Sequence, residues 1–211
     1  MSEASSQRAN RPKYLVVALV VALLFGAGCW MDGCNAIALY KGGHLNPSHA
    51  SQGIDGEADR AQVEQLFTRF VDLANTHRSR GIPIGAATLV LGAALLAVGT
   101  RALAGRTAAR SLLIQLVLVQ AAVVAAGFFL NGDIRAAELD WYTARTLALA
   151  RQDGSDAIKL AQLETLMAGT RRYGVPAWIA IRSIASLLVA FALTRPPARR
   201  FFDAVAEAAS E

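Results

Sequence analysis

Four long apolar runs constrain this chain more than any other feature. They are Tyr14–Trp30, Ile82–Thr100, Ser111–Leu130 and Val175–Leu193. A helix needs about 20 mostly apolar residues to cross a bilayer, and each run approaches that length. Three of them hold no charged residue, and the fourth holds one, Arg182. Charged residues make up only 18% of the 211 positions, below the ~25% usual for a soluble domain. The pattern predicts an all-α, polytopic membrane protein with a four-helix transmembrane bundle.

Flanking charge predicts the orientation. Arg8, Arg11 and Lys13 precede the first run, Arg101, Arg106 and Arg110 separate the second from the third, and Arg195, Arg199 and Arg200 follow the fourth. These short basic segments fall on one side, which the positive-inside rule assigns to the cytoplasm. Both termini are then cytoplasmic, and two longer helical loops lie outside. Low aromatic content and heavy use of Ala, Leu, Val and Arg point to a bacterial protein from a GC-rich genome, and the expected location is the inner membrane. The net charge of +5 sits largely beside the runs and lacks interleaved aromatics, so nucleic acid is not an expected partner. Gly26-Ala27-Gly28-Cys29 resembles a lipoprotein cleavage site, but Gly26 stands where Leu is preferred, and the run reads as a retained helix.

The two halves echo each other. Gly28-Cys29-Trp30-Met31-Asp32-Gly33 matches Gly127-Phe128-Phe129-Leu130-Asn131-Gly132, and the same offset places Arg11 on Arg110. Gly81-Ile82-Pro83 corresponds to Gly174-Val175-Pro176, and Thr100-Arg101 to Thr194-Arg195. The chain is therefore read as two tandem two-span repeats, 1–103 and 104–211. The first repeat has spans at 14–30 and 82–100, and its outer loop carries an amphipathic helix at 56–80. The second has spans at 111–130 and 175–193, outer helices at 133–151 and 155–172, and a cytoplasmic tail at 194–211. In both repeats the Gly-X-Pro element is expected to turn the chain from an outer helix into a span. Ser155 is the expected cap of the last outer helix.

Among candidate site residues, Arg182 is the sharpest. An ionisable group inside a membrane faces the bundle interior or a wet cavity and needs a partner. Gln120, and at shallower depth Asn131, Asp133 and Asp32, are the polar groups nearest in depth. Interhelical bonding with snorkelling and an anion or lipid-headgroup site both fit Arg182. Arg78, Arg80, Arg171 and Arg172 abut the outer ends of the second and fourth spans. They fit either favourable placement at helix C-termini or binding of an anionic ligand. Gly85, Gly92 and Gly99 form a small-residue stripe suited to close helix packing.

Cys29 and Cys34 are a candidate disulfide only if the helix unwinds near Gly33. His44, His49 and Cys34 match no standard zinc spacing, so no metal is expected, and no cofactor motif is present. With no paired carboxylates or activated nucleophile, the expectation is a non-enzymatic accessory or scaffold subunit. Its partners would be the lipid bilayer and other membrane protein subunits or further copies of itself. The alternative is a small transport or lipid- or anion-handling protein with a site near Arg182 between the repeats.

Overall fold

The computed structural model describes residues 11–41 and 47–208. Every regular element among them is helical: α1 (Lys13–Lys41), α2 (Pro47–Ala50), α3 (Glu57–Thr76), α4 (Arg78–Leu103), α5 (Thr107–Leu130), α6 (Gly132–Gln152), α7 (Ala157–Gly169), α8 (Val175–Thr194) and α9 (Pro196–Ala208). Four helical runs are long and apolar enough to cross a membrane: α1, α4, α5 and the continuous stretch Ala157–Thr194 that contains α8. The chain groups into two compact units, each drawing on both halves of the sequence.

The first unit comprises Met1–Gly33, Ala87–Val124 and Ile181–Glu211. Its core joins Leu15, Leu19 and Ala22 of α1 to Leu95 of α4, Leu113 and Val117 of α5, and Val189 and Leu193 of α8. α1 and α4 run antiparallel and nearly touch. A Cβ at Gly33 would overlap the main chain of Leu89, and one at Gly92 would overlap that of Trp30. A Cβ at Gly99 would come within 2.7 Å of Leu23 Cδ2. The glycine stripe of α4 therefore meets a second pair on α1, Gly26 and Gly33, and close backbone approach replaces side-chain packing.

Residues 194–211, expected as a plain tail, contain α9. Ala198, Phe201 and Phe202 are buried against the first unit's core. Each buried Phe contributes about 1.5–3 kcal/mol by leaving water. α9 also packs on the α4–α5 turn, where Gly105 has φ +80°, a left-handed conformation that L side chains rarely adopt. Val205 Cγ1 would lie only 2.7 Å from any Cβ at that glycine.

Arginines close the helix ends of this unit. The last carbonyls of a helix have no intrahelical partner, and cations there also favour the helix dipole. Arg11 donates to the Leu103 carbonyl at the end of α4 at 2.5 Å. Arg110 Nε donates to the Leu193 carbonyl at 2.8 Å and Arg199 Nε to the Thr194 carbonyl at 3.1 Å, both at the end of α8.

The second unit comprises Cys34–Ala86 and Ala125–Ala180. The stripe Val63, Phe67, Phe70 and Ala74 turns α3 towards α6, where Ile134, Ala137 and Ala148 receive it. Trp141 stacks on Phe70, with centroids 6.2 Å apart and planes at 4°, and tilts against Phe67 at 5.1 Å. Gln152 and Asp55 exchange two hydrogen bonds, of 2.7 and 3.2 Å, tying the end of α6 to the start of the α3 region.

Several boundaries differ from the sequence expectation. α1 does not stop at Trp30 but continues to Lys41, because Tyr40 and Ala36 are held against α4 near Gly81 and Gly85. Gly81 is not a turn. α3 ends at Thr76, His77 (φ −99°, ψ 16°) forms the break, and Gly81 lies inside α4, where a Cβ would strike the Tyr40 ring. Gly174 is not a turn either. Thr170–Gly174 form a π-turn that carries the helix onward, with the Val175 N–H donating to the Thr170 carbonyl. Pro176 has no N–H to give, and its ring would crowd the Arg172 carbonyl in a tight α-helix. The wider turn relieves that conflict. Asp156 rather than Ser155 caps α7, accepting from the Lys159 N–H at 2.8 Å, because its side chain stands at the residue directly before the first helical position. Residues 42–46, including His44, lie outside the described residues, as do Arg8 and the other residues before position 11.

Candidate functional site

The first unit contains a polar cluster within three spans. α8 supplies Arg182 and, one turn later on the same face, Ser186; α5 supplies Gln120; α1 supplies Cys29 and Asp32. Helical side chains lean towards the N-terminus, which carries the guanidinium towards the end of α1. Arg182 Nη1 donates to Asp32 Oδ2 at 3.2 Å, and Nη2 donates to Cys29 Sγ at 2.9 Å. The guanidinium carbon is 5.9 Å from the centre of the Phe25 ring. The guanidinium also passes close to Gly28, where a Cβ would sit in ordinary contact with Nη2 at 3.9 Å.

Ser186 lies between two acceptors. Its hydroxyl is 2.9 Å from the Arg182 carbonyl and 3.1 Å from Gln120 Oε1. Gln120 is 1% exposed and Ser186 fully buried, so this bond joins α5 to α8 in an apolar setting where an unmade bond is costly. The Arg182 side chain is 12% exposed and that of Asp32 58%. The protein therefore encloses the guanidinium and leaves the carboxylate largely uncovered. Arg182 Nε and Gln120 Nε2 are buried without a partner among the described residues.

Two of the expected neighbours of Arg182, Asp32 and Gln120, thus belong to its cluster. Asp133 is engaged by α4 and its preceding residue instead: His77 Nε2 lies 2.8 Å away and Arg80 Nη2 2.7 Å. Burial works against the Asp133 charge, but the Ile134 N–H and the bonds and charges of Arg80 and His77 outweigh it, and the carboxyl pKa is lowered from its ordinary value. Arg171 pairs with Asp140, Arg172 lies over the Tyr173 ring at 5.2 Å, and Arg78 is exposed. The four arginines at the ends of α4 and the π-turn thus do not converge on one site. Cys29 and Cys34 are free thiols, the first buried and the second exposed. The helix stays wound through Gly33, which sets them about 140° apart around its axis.

Sequence reading singled out Cys29 only as a disulfide candidate, not as a neighbour of Arg182, and missed Ser186. Ser186 carried a signal, since it stands four residues beyond Arg182 and therefore on the same face. Among the described residues no group of three or more His, Cys, Asp or Glu side chains is placed to hold a metal. Comparison with known protein families, curated proteins and solved structures finds no match for the chain.

Proposed function

We propose that this is a multi-pass protein of a bacterial cytoplasmic membrane, with both termini cytoplasmic, that works without catalysis as an accessory or scaffold subunit. The carrying observation is the exposed face of α7. Ala157–Thr194 is one helical run of 38 residues, about 57 Å at 1.5 Å per residue, against a hydrocarbon core of ~30 Å. The excess bears Ile158 and Leu166, 71% and 63% exposed, and α7 has no buried residue. Apolar side chains beyond the length that lipid covers suit a protein partner. The test is a photo-crosslinking residue at Leu166 in native membranes. A crosslinked partner chain supports the reading; a protein that stays monomeric and uncrosslinked removes it.

The two-repeat architecture belongs to the same proposal. Arg11 and Arg110 occupy equivalent sequence positions, and each closes the C-terminus of the span that ends its own half, α4 and α8 respectively. That parallel supports descent from one doubled unit with loops on the far side of the membrane. A thiol-reactive, membrane-impermeant label should miss a cysteine placed between Arg101 and Arg110 in intact cells. Labelling there reverses the orientation.

A second reading rests on the unpaired N–H groups of Arg182 and Gln120, which could receive an anionic or carbonyl oxygen. Arg182→Gln separates the two: loss of a small ligand with partner binding intact favours transport or anion handling.

A further inference from the structure

The α4–α5 turn carries charge that the fold does not use. In the first unit, Arg11, Arg110 and Arg199 donate to helix-terminal carbonyls, and Arg195 lies over the Phe191 and Tyr14 rings at 4.9 and 6.0 Å. The side chains of Arg101 and Arg106 are exposed and make no hydrogen bond, ion pair or ring contact among the described residues. Both border an open cleft of about 640 Å³ whose other walls include Val98, Ala104, Ala108 and Leu112.

The position of this cleft follows from the chain. α4 ends at Leu103 and α5 begins at Thr107, so the link between the two spans must lie at the membrane surface. Val98 and Leu112 each lie five residues inside a helix end, about 7.5 Å deep at 1.5 Å per residue. The cleft therefore has two guanidinium groups at its mouth and an aliphatic wall reaching into the apolar layer.

We propose that this cleft binds an anionic phospholipid. Arginine pairs with phosphate oxygens through parallel N–H bonds, and basic pockets between membrane helices hold acidic headgroups. The aliphatic wall fits the first methylenes of an acyl chain, which a free anion does not possess. A second copy of the same cleft would bring four like charges together, and that disfavours self-association there.

The test is native mass spectrometry of the intact protein, released from nanodiscs of phosphatidylglycerol and phosphatidylcholine with identical chains. Phosphatidylglycerol should be retained at least tenfold over phosphatidylcholine. Arg101→Gln with Arg106→Gln should abolish that preference, while the double Lys variant keeps most of it. Ala108→Trp, which fills the apolar wall and leaves both charges, should also weaken retention. Arg78→Gln, an exposed arginine at the other end of α4, should have no effect. An unchanged preference in the double Gln variant overturns the proposal, as does an equal loss in Arg78→Gln. Competition by chain-free glycerophosphoglycerol at the same concentration as the intact lipid also overturns it, because the site would then read phosphate alone.

Discussion

Arg182 Nη1 of α8 lies 3.2 Å from Asp32 Oδ2 of α1, and the two partners are unequal: the cation is enclosed and the anion is left largely uncovered. Removing the carboxylate strands an enclosed charge, whereas removing the guanidinium leaves an acid that the protein does not enclose. Asp32→Asn should therefore destabilise more than Arg182→Gln. The expected cost is about 1–2 kcal/mol, below that of a fully buried pair because Asp32 is more than half uncovered by protein. Thermal unfolding in detergent measures both variants. A larger loss for Arg182→Gln contradicts the asymmetry.

Close packing of α1 on α4 gives a steric prediction. Gly33→Ala and Gly92→Ala each place a methyl group into a neighbouring main chain and should cost about 2–3 kcal/mol. Gly169 is helical, and a Cβ there meets nothing within 4 Å. Gly169→Ala should be neutral or stabilise by up to ~1 kcal/mol through helix propensity. Equal Tm values for all three variants would refute the α1–α4 contact.

How much of this was legible in sequence follows from the physics of each signal. Span existence is a property of local hydropathy, so four spans could be read directly. The glycine stripe was readable because a period of seven marks one helix face. The length of α1 was not, because hydropathy falls at Asp32 while the helix is extended by Tyr40 packing over Gly81, a contact distant in sequence. The break at His77 was misplaced to Gly81 because glycine serves close approach as well as turning. Phe201, Phe202 and Val205 did signal α9 through their spacing, but surrounding charges concealed it. Cys29 escaped notice as a partner for Arg182 because thiols are weak acceptors and seldom considered.

Acid should weaken the second unit through Asp133. Its carboxyl pKa is lowered in the folded protein, chiefly through the Ile134 N–H and Arg80 once burial has been outweighed. A carboxyl held below its unfolded value stabilises the fold above that unfolded value, and the stabilisation is lost as pH falls through the folded one. Protection of α3 and α6 against hydrogen exchange, taken relative to the intrinsic rate at each pH, should therefore fall below about pH 4, near the unperturbed carboxyl range. Asp133→Asn should flatten that response. An identical acid profile in the variant excludes Asp133 as its source.

The thiols should differ in reactivity. Cys34 is exposed and Cys29 buried on a different face of the same helix. A small maleimide should modify Cys34 first and reach Cys29 only after unfolding, and mild oxidation should form no bond between them. Non-reducing peptide mapping that finds a Cys29–Cys34 bridge would show that α1 unwinds near Gly33.

Loss of a helix-end bond should be measurable at Arg110. Arg110→Ala removes a charge-assisted bond to the Leu193 carbonyl and should cost about 1.5–3 kcal/mol. Arg110→Lys should recover part of that, since a lysine supplies charge but not the same N–H geometry. A Tm unchanged by Arg110→Ala would mean that water satisfies the carbonyl equally well.

Arg11, Arg110 and Arg199 are among the charges from which the orientation of the chain is read, and they also seal the ends of α4 and α8. Removing these arginines to test the orientation would also open both helix ends, so a change in topology and a loss of stability would arrive together in the same variant.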